Sequence, residues 1–144
     1  LADGLSLAAE SDTDLIVDVA TLTGAAKVAL GLDMAAVFGT EEARDMVQAA
    51  GESAGEKLWP MPLHDAYRAS LDSNVADLKN IGERWGGAIT AALFLREFAG
   101  EGEWAHLDIA GPARAAKNTA YTPKGASGFG VRTLVAVAEA LAAS

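Results

Sequence analysis

Leu15-Ile16-Val17-Asp18-Val19-Ala20-Thr21-Leu22-Thr23-Gly24-Ala25 is the stretch whose reading decides the fold. Its first six residues form a nearly continuous β-branched run, the pattern of a strand buried on both faces. The chain then turns through two hydroxyl residues into a short helical stretch, Gly24–Leu30, that Gly31 stops. A buried strand leading straight into a helix belongs to an α/β sheet, and ligands bind at the carboxyl edge of such sheets. Backbone N–H groups left free where the helix starts can hold an anion or a peptide carbonyl, and Gly24 lets a ligand come close. The plainer alternative is an ordinary strand-to-helix turn with Thr23 as its N-cap.

Working outward, Leu5, Leu7, Ala8 and Ala9 begin a helical pattern immediately after Leu1. Leu1 is not an initiator Met, so a cut edge is expected, with the chain as the downstream portion of a longer protein. Downstream of the opening unit, 34–38 is a second apolar run closed by Gly39. Thr40 then reads as an N-cap with Glu41 and Glu42 in the first turn, and Ala43, Met46, Val47, Ala50 and Ala54 at helical spacing predict a helix to about Gly55. Signals weaken over 57–87: Trp59-Pro60-Met61-Pro62 cannot be a helix interior, 64–71 fits one short helix, and Asn80, Gly82, Gly86 and Gly87 mark loops. Residues 88–99 are apolar nearly all round, as in a helix packed into a core. The alternation over 104–110 predicts a strand, 111–128 a loop, and Leu134, Val137, Ala138 and Leu141 a final helix. The predicted order αβαβααβα implies an α/β fold, a mixed, largely parallel sheet flanked by helices on both faces, with no internal repeat.

The whole sequence has 144 residues, 51% of them hydrophobic, with 20 acidic residues against 11 Lys and Arg, a net charge of −9 and no cysteine. At this length about 70% of the unfolded surface can be buried, which excludes a disordered chain. Zero cysteine excludes disulfides, cysteine nucleophiles and thiolate zinc sites, and fits a reducing, cytoplasmic compartment. No apolar run reaches the roughly 18 residues of a membrane span. The acidic balance, without a basic stripe, argues against a nucleic-acid partner.

Other candidate chemistry is sparse. His106 and Asp108 stand two apart on one strand face, as a metal pair or an orienting hydrogen bond would require, although a satisfied structural pair is the commoner case. Asp18, inside an apolar strand, must meet a partner or face a site. Gly125-Ala126-Ser127-Gly128-Phe129-Gly130 lacks the preceding strand and the spacing of a dinucleotide loop and reads as a turn with close packing.

Six segments together resemble the carboxy-terminal part of the leucyl (cytosol) aminopeptidase family: Leu1-Ala2-Asp3-Gly4-Leu5, Asp18 through Ala25, Trp59-Pro60-Met61-Pro62, Asp77-Leu78-Lys79-Asn80-Ile81-Gly82, Trp104 through Gly111, and Gly128 through Leu134. The resemblance covers essentially all of 1–144 and implies an incomplete, carboxy-terminal portion of a leucyl aminopeptidase catalytic domain. It implies a parent enzyme in which two Mn²⁺ or Zn²⁺ ions activate water and amino-terminal residues are released from peptides, leucine and similar side chains preferred. It also implies a homo-oligomer, a hexamer in the parent.

The family's metal ligands lie in a Lys- and Asp-bearing segment and in an Asn-Thr-Asp-Ala-Glu-Gly-Arg motif, the latter ending two residues before the position matched by Leu1. Neither occurs in this sequence. The resemblance therefore assigns this chain no catalytic and no metal-ligating residue, no metal bound by the chain itself, and no activity alone. It assigns a substrate-binding wall: Thr21, Leu22, Thr23 and Gly24 against the substrate backbone, Ala110 and Ala113 lining the side-chain pocket, and Ile81 on the leaving-group side. Ala113 stands where the family often has a bulkier residue, which would broaden specificity. His106 and Asp108 are structural in this comparison. The alternatives are a non-catalytic binding or assembly module with an aminopeptidase-like fold, and an unrelated α/β nucleotide-binding domain that uses the Thr21–Gly24 turn.

Overall fold

A computed structural model describes residues 1–143. Four strands form one sheet: β1 (Ile16–Ala20), β2 (Ala35–Gly39), β3 (Leu58–Pro60) and β4 (Trp104–Asp108), in the order β1-β4-β2-β3. The pairs β1/β4 and β2/β3 are parallel and β2/β4 is antiparallel, so the sheet is mixed and largely parallel. Helices α1 (Ala2–Ala9), α2 (Gly24–Leu30), α3 (Glu41–Ala54), α4 (Gly87–Arg96) and α5 (Val131–Ala142) surround it, with a 3₁₀ helix at Asp65–Leu71. None of these is long and apolar enough to cross a membrane.

The period of two along the strands sorts the core. Val17, Val19, Ala35, Val37, Leu58, Ala105 and Leu107 face α3 and α5, meeting Ala43, Val47, Ala50 and Val137. On the other face Ala36 and Phe38 meet Ala26 of α2 and Ala88 and Ala92 of α4. Trp104 packs there with Leu5 of α1 and with Leu95 and Ala99. Alanines at these contacts let the helices lie close on the sheet, and the turn that ends α2 presses against the chain leaving β4. A Cβ on Gly111 would lie 2.2 Å from the Gly31 carbonyl oxygen.

Two helices are capped by carboxylates distant in sequence. Thr40 precedes α3 without a capping bond of its own; its hydroxyl donates to Glu103, which also accepts the Ala43 N–H at 3.1 Å. Glu56 is buried and accepts from the Gly130 N–H at 3.0 Å, the Thr133 N–H at 2.9 Å and the Thr133 hydroxyl at 2.7 Å, closing the start of α5. Arg68 ties the 3₁₀ helix to the end of α4 through Glu97, whose hydrogen bond raises the pKa of the guanidinium; Asp65 and Arg96 make a second tie.

The structure corrects the sequence expectations in four places. β1 is not buried on both faces: it ends the sheet, and of its five residues only Asp18 is fully buried. Residues 58–60 form β3, a strand too short to show a period and ended by Pro60. The 111–128 loop contains a small antiparallel pair, β5 (Arg114–Ala115) with β6 (Gly125–Ala126). The helix expected over 88–99 starts one residue earlier and stops at Arg96, after which Glu97, Phe98 and Ala99 bond back three residues in tighter turns.

Candidate functional site

β1 and β4 run parallel with Ala20 beside Asp108, so both strands end at one edge of the sheet. Residues 21–23 leave that edge toward α2, with Thr23 as the N-cap in extended conformation, its hydroxyl oxygen accepting the Ala26 N–H at 3.0 Å. Asp108 lies underneath. Its carboxylate accepts from the Leu22 N–H at 3.1 Å, the Thr23 N–H at 3.0 Å, the Thr23 hydroxyl at 2.6 Å and the Ala110 N–H at 3.1 Å. The expectation of free N–H groups at this turn therefore fails for Leu22 and Thr23, whose amides Asp108 already occupies.

The loop separates two clefts. One, of about 410 Å³, is lined by Leu22, Thr23 and Gly24 together with Ile81, Arg84 and Thr90. Ile81 stands 78% exposed at its rim. The other, of about 720 Å³, is lined by Thr21, Ala110 and Ala113 together with Lys27, Arg114 and Lys124. The seven residues that the sequence points to thus fall into two groups, each lining a different cleft bordered by one short loop. The three cations of the second cleft have no ion-pair partner among the described residues, in a chain with a large acidic excess.

His106 does not pair with Asp108. Its Nδ1 donates to Asp18 Oδ1 at 2.5 Å, while Trp104 Nε1 donates to Asp18 Oδ2 at 2.8 Å. Neighbours two apart on one strand are roughly 7 Å from each other, whereas directly opposed residues on paired strands are closer, and Asp18 is directly opposite His106. The imidazole is 1% exposed, stacks on Phe38 with ring centroids 6.0 Å apart, and leaves Nε2 without a partner. Asp18 thus meets partners within the fold.

The glycine-rich 125–130 segment is a packed turn. Ser127 donates its hydroxyl to the Pro112 carbonyl at 2.6 Å, and its oxygen accepts the Phe129 N–H at 3.2 Å. Among the described residues no group of three or more His, Cys, Asp or Glu is arranged to hold a metal ion. The buried carboxylates Asp18, Asp108 and Glu56 are each committed to protein donors.

The anchoring of the loop by Asp108 and the capping by Glu56 and Glu103 were not visible in the sequence. Each joins residues more than fifty positions apart, and a single carboxylate carries no local signal of such a partner.

The catalytic-domain model of the cytosol aminopeptidase family matches residues 1–135. The "Probable cytosol aminopeptidase" of Synechococcus sp. (strain JA-3-3Ab) is 55% identical over 137 residues, covering 94% of this chain and 27% of the relative. The protein of the same description from Streptomyces avermitilis is 55% identical over 146 residues, covering 99% of this chain and 28% of the relative. The chain therefore spans little more than a quarter of the length of these relatives. Among solved structures, a point mutant of tomato leucine aminopeptidase superposes with a TM-score of 0.88 at 45% identity, over 94% of this chain and 26% of that one. The bottromycin maturation enzyme BotP superposes at 0.94 and 45% identity, over all of this chain and 33% of that one. BotP has also been solved in complex with Mn, with a TM-score of 0.90, 45% identity and coverage of 97% and 32%.

Proposed function

Because the chain belongs to the cytosol aminopeptidase family, we propose that it is the carboxy-terminal portion of the catalytic domain of a two-metal leucyl aminopeptidase, supplying substrate wall and scaffold. The observation that carries this is the Thr21–Gly24 loop at the sheet edge, flanked by Ile81 on one side and by Ala110 and Ala113 on the other. In a bound peptide the loop meets the backbone, the amino-terminal side chain points toward Ala110 and Ala113, and the leaving portion passes Ile81. Two methyl-sized side chains at that wall leave room for leucine and for larger groups, so the parent's preference is broadened.

The residues of this chain do not fit a metal centre of their own. Among the described residues the buried carboxylates each accept from N–H, hydroxyl or ring donors, and no three or more His, Cys, Asp or Glu are arranged to hold a metal ion. We therefore assign the two divalent ions, Mn or Zn, to parts of the parent outside these residues, and this chain alone is inactive. The parent acts on peptides in the cytoplasm as a homo-oligomer, a hexamer by family resemblance.

Two experiments test this. Purified chain with added Mn²⁺ or Zn²⁺ is expected to leave a leucine anilide unhydrolysed above background, and turnover that follows the metal would overturn the assignment of the ligands. The coding DNA ahead of Leu1 is expected to encode Asn-Thr-Asp-Ala-Glu-Gly-Arg followed by two residues. An initiator codon or unrelated sequence there would favour a non-catalytic module instead.

A further inference from the structure

We infer that Asp108 is a positioning residue for the substrate wall, holding the 22–23 loop and Ala110 in one fixed arrangement; this rests on the wall proposed above. The carboxylate is 1% exposed and takes four donors, the N–H groups of Leu22, Thr23 and Ala110 and the hydroxyl of Thr23. Both oxygens of an acceptor-only group are thereby used. The donors come from two segments far apart in sequence. One borders the cleft at Ile81, and the other lines the cleft at Ala113. One buried charge therefore sets the spacing between the part of the wall that meets the peptide backbone and the part that meets its side chain.

Four hydrogen bonds on one buried carboxylate, the Thr23 hydroxyl bond at 2.6 Å the tightest of them, hold the arrangement through the protein's own groups, independently of any ligand. Thr23 extends the chain of contacts, because its hydroxyl donates to Asp108 while accepting from Ala26, linking the carboxylate to the first turn of α2.

Asp18 provides the contrast. It too is buried, on the paired strand, but its partners His106 and Trp104 line neither cleft. If Asp108 served the fold alone, Asp108→Asn and Asp18→Asn would lower the melting temperature and leave substrate affinity untouched.

Amide hydrogen exchange on the 144-residue chain gives the first test. Leu22, Thr23 and Ala110 amides are expected to be protected, with protection at Leu22 and Thr23 falling about a hundredfold or more in Asp108→Asn and unchanged in Asp18→Asn. Unprotected Leu22 and Thr23 amides in the folded, unsubstituted chain would overturn the inference.

Kinetics of the complete parent aminopeptidase give the second. Asp108→Asn is expected to raise KM for a leucyl peptide about tenfold or more with a smaller change in kcat, while Asp18→Asn leaves KM in place. Should Asp108→Asn not fold, exchange on the unsubstituted chain decides the matter: protected Leu22 and Thr23 amides support the inference and unprotected ones overturn it. An active Asp108→Asn enzyme with unchanged KM would sink the positioning role. A parent with no aminopeptidase activity would sink the proposed function, and the exchange result would still decide whether Asp108 fixes the loop.

Discussion

Gly111 shows how closely a single position can be bound to the site without touching a ligand. It follows Ala110, and a Cβ there would meet the Gly31 carbonyl oxygen at 2.2 Å, with the Met34 carbonyl oxygen behind it at 3.3 Å. Both neighbours are backbone, so neither can rotate aside. Gly111→Ala is expected to cost about 1–3 kcal/mol, the usual range for overpacking a tight contact, measured by urea unfolding. Unchanged stability would mean that the backbone around Gly31 yields to the added methyl group at no cost. Glu56 acts with the opposite sign: it satisfies three donors at the start of α5 from a buried position. Truncation in Glu56→Ala leaves those donors unpaired, and a loss of about 2–3 kcal/mol is expected in the same measurement. Neither cost was legible in the sequence. Gly111 looks like any turn glycine and Glu56 like a charge after a helix stop, because Gly31 and Thr133, which make them costly to change, lie about eighty positions away.

At the scale of elements, legibility followed locality. β1, α2 and the start of α3 carry their instructions within a few residues: a β-branched run, Thr23 as cap, Gly31 as stop, acidic residues in a first turn. All three were readable as elements, although not the place of β1 at the end of the sheet. β3 was not, because three residues ending in proline define no period and the strand exists only through its pairing with β2. The partner of His106 was not readable either, since the sequence places Asp108 on the same face while only the register of β1 on β4 puts Asp18 opposite. Of the candidate site, the loop and its flanking residues were named, but their division between two clefts and their anchoring on one carboxylate depend on how β4 lies against β1. The capping of α3 from Glu103 is of the same kind. Glu103→Ala is expected to lower stability by about 1 kcal/mol and to speed amide exchange in the first turn of α3 while leaving its last turn unchanged.

For the whole molecule, the open side of β1 matters most. β1 has no strand on its outer side among the described residues, and an unpaired strand edge is a template for pairing with another chain. α5 adds an apolar stripe: it packs Val137 into the core beneath Val17 and Val19 while Val131 is 60% and Val135 52% exposed. Surface of this kind is expected where a further part of the same fold covers it, and the relatives this chain matches are between three and four times its length. Net charge opposes such contacts, since nine surplus negative charges repel copies of the chain at low salt. Screening at 0.1 M salt removes that opposition beyond about 10 Å and leaves the edge and the stripe intact. The chain is therefore expected to associate with rising concentration, and more strongly as salt is added, in sedimentation velocity. Val131→Glu combined with Val135→Lys should reduce the association without lowering the melting temperature, because both side chains already face water. A monomer at every concentration and salt level would mean that α5 and the β1 edge are adequately covered within these residues, and would remove the physical argument that this fold was shaped to pack against more of its own chain.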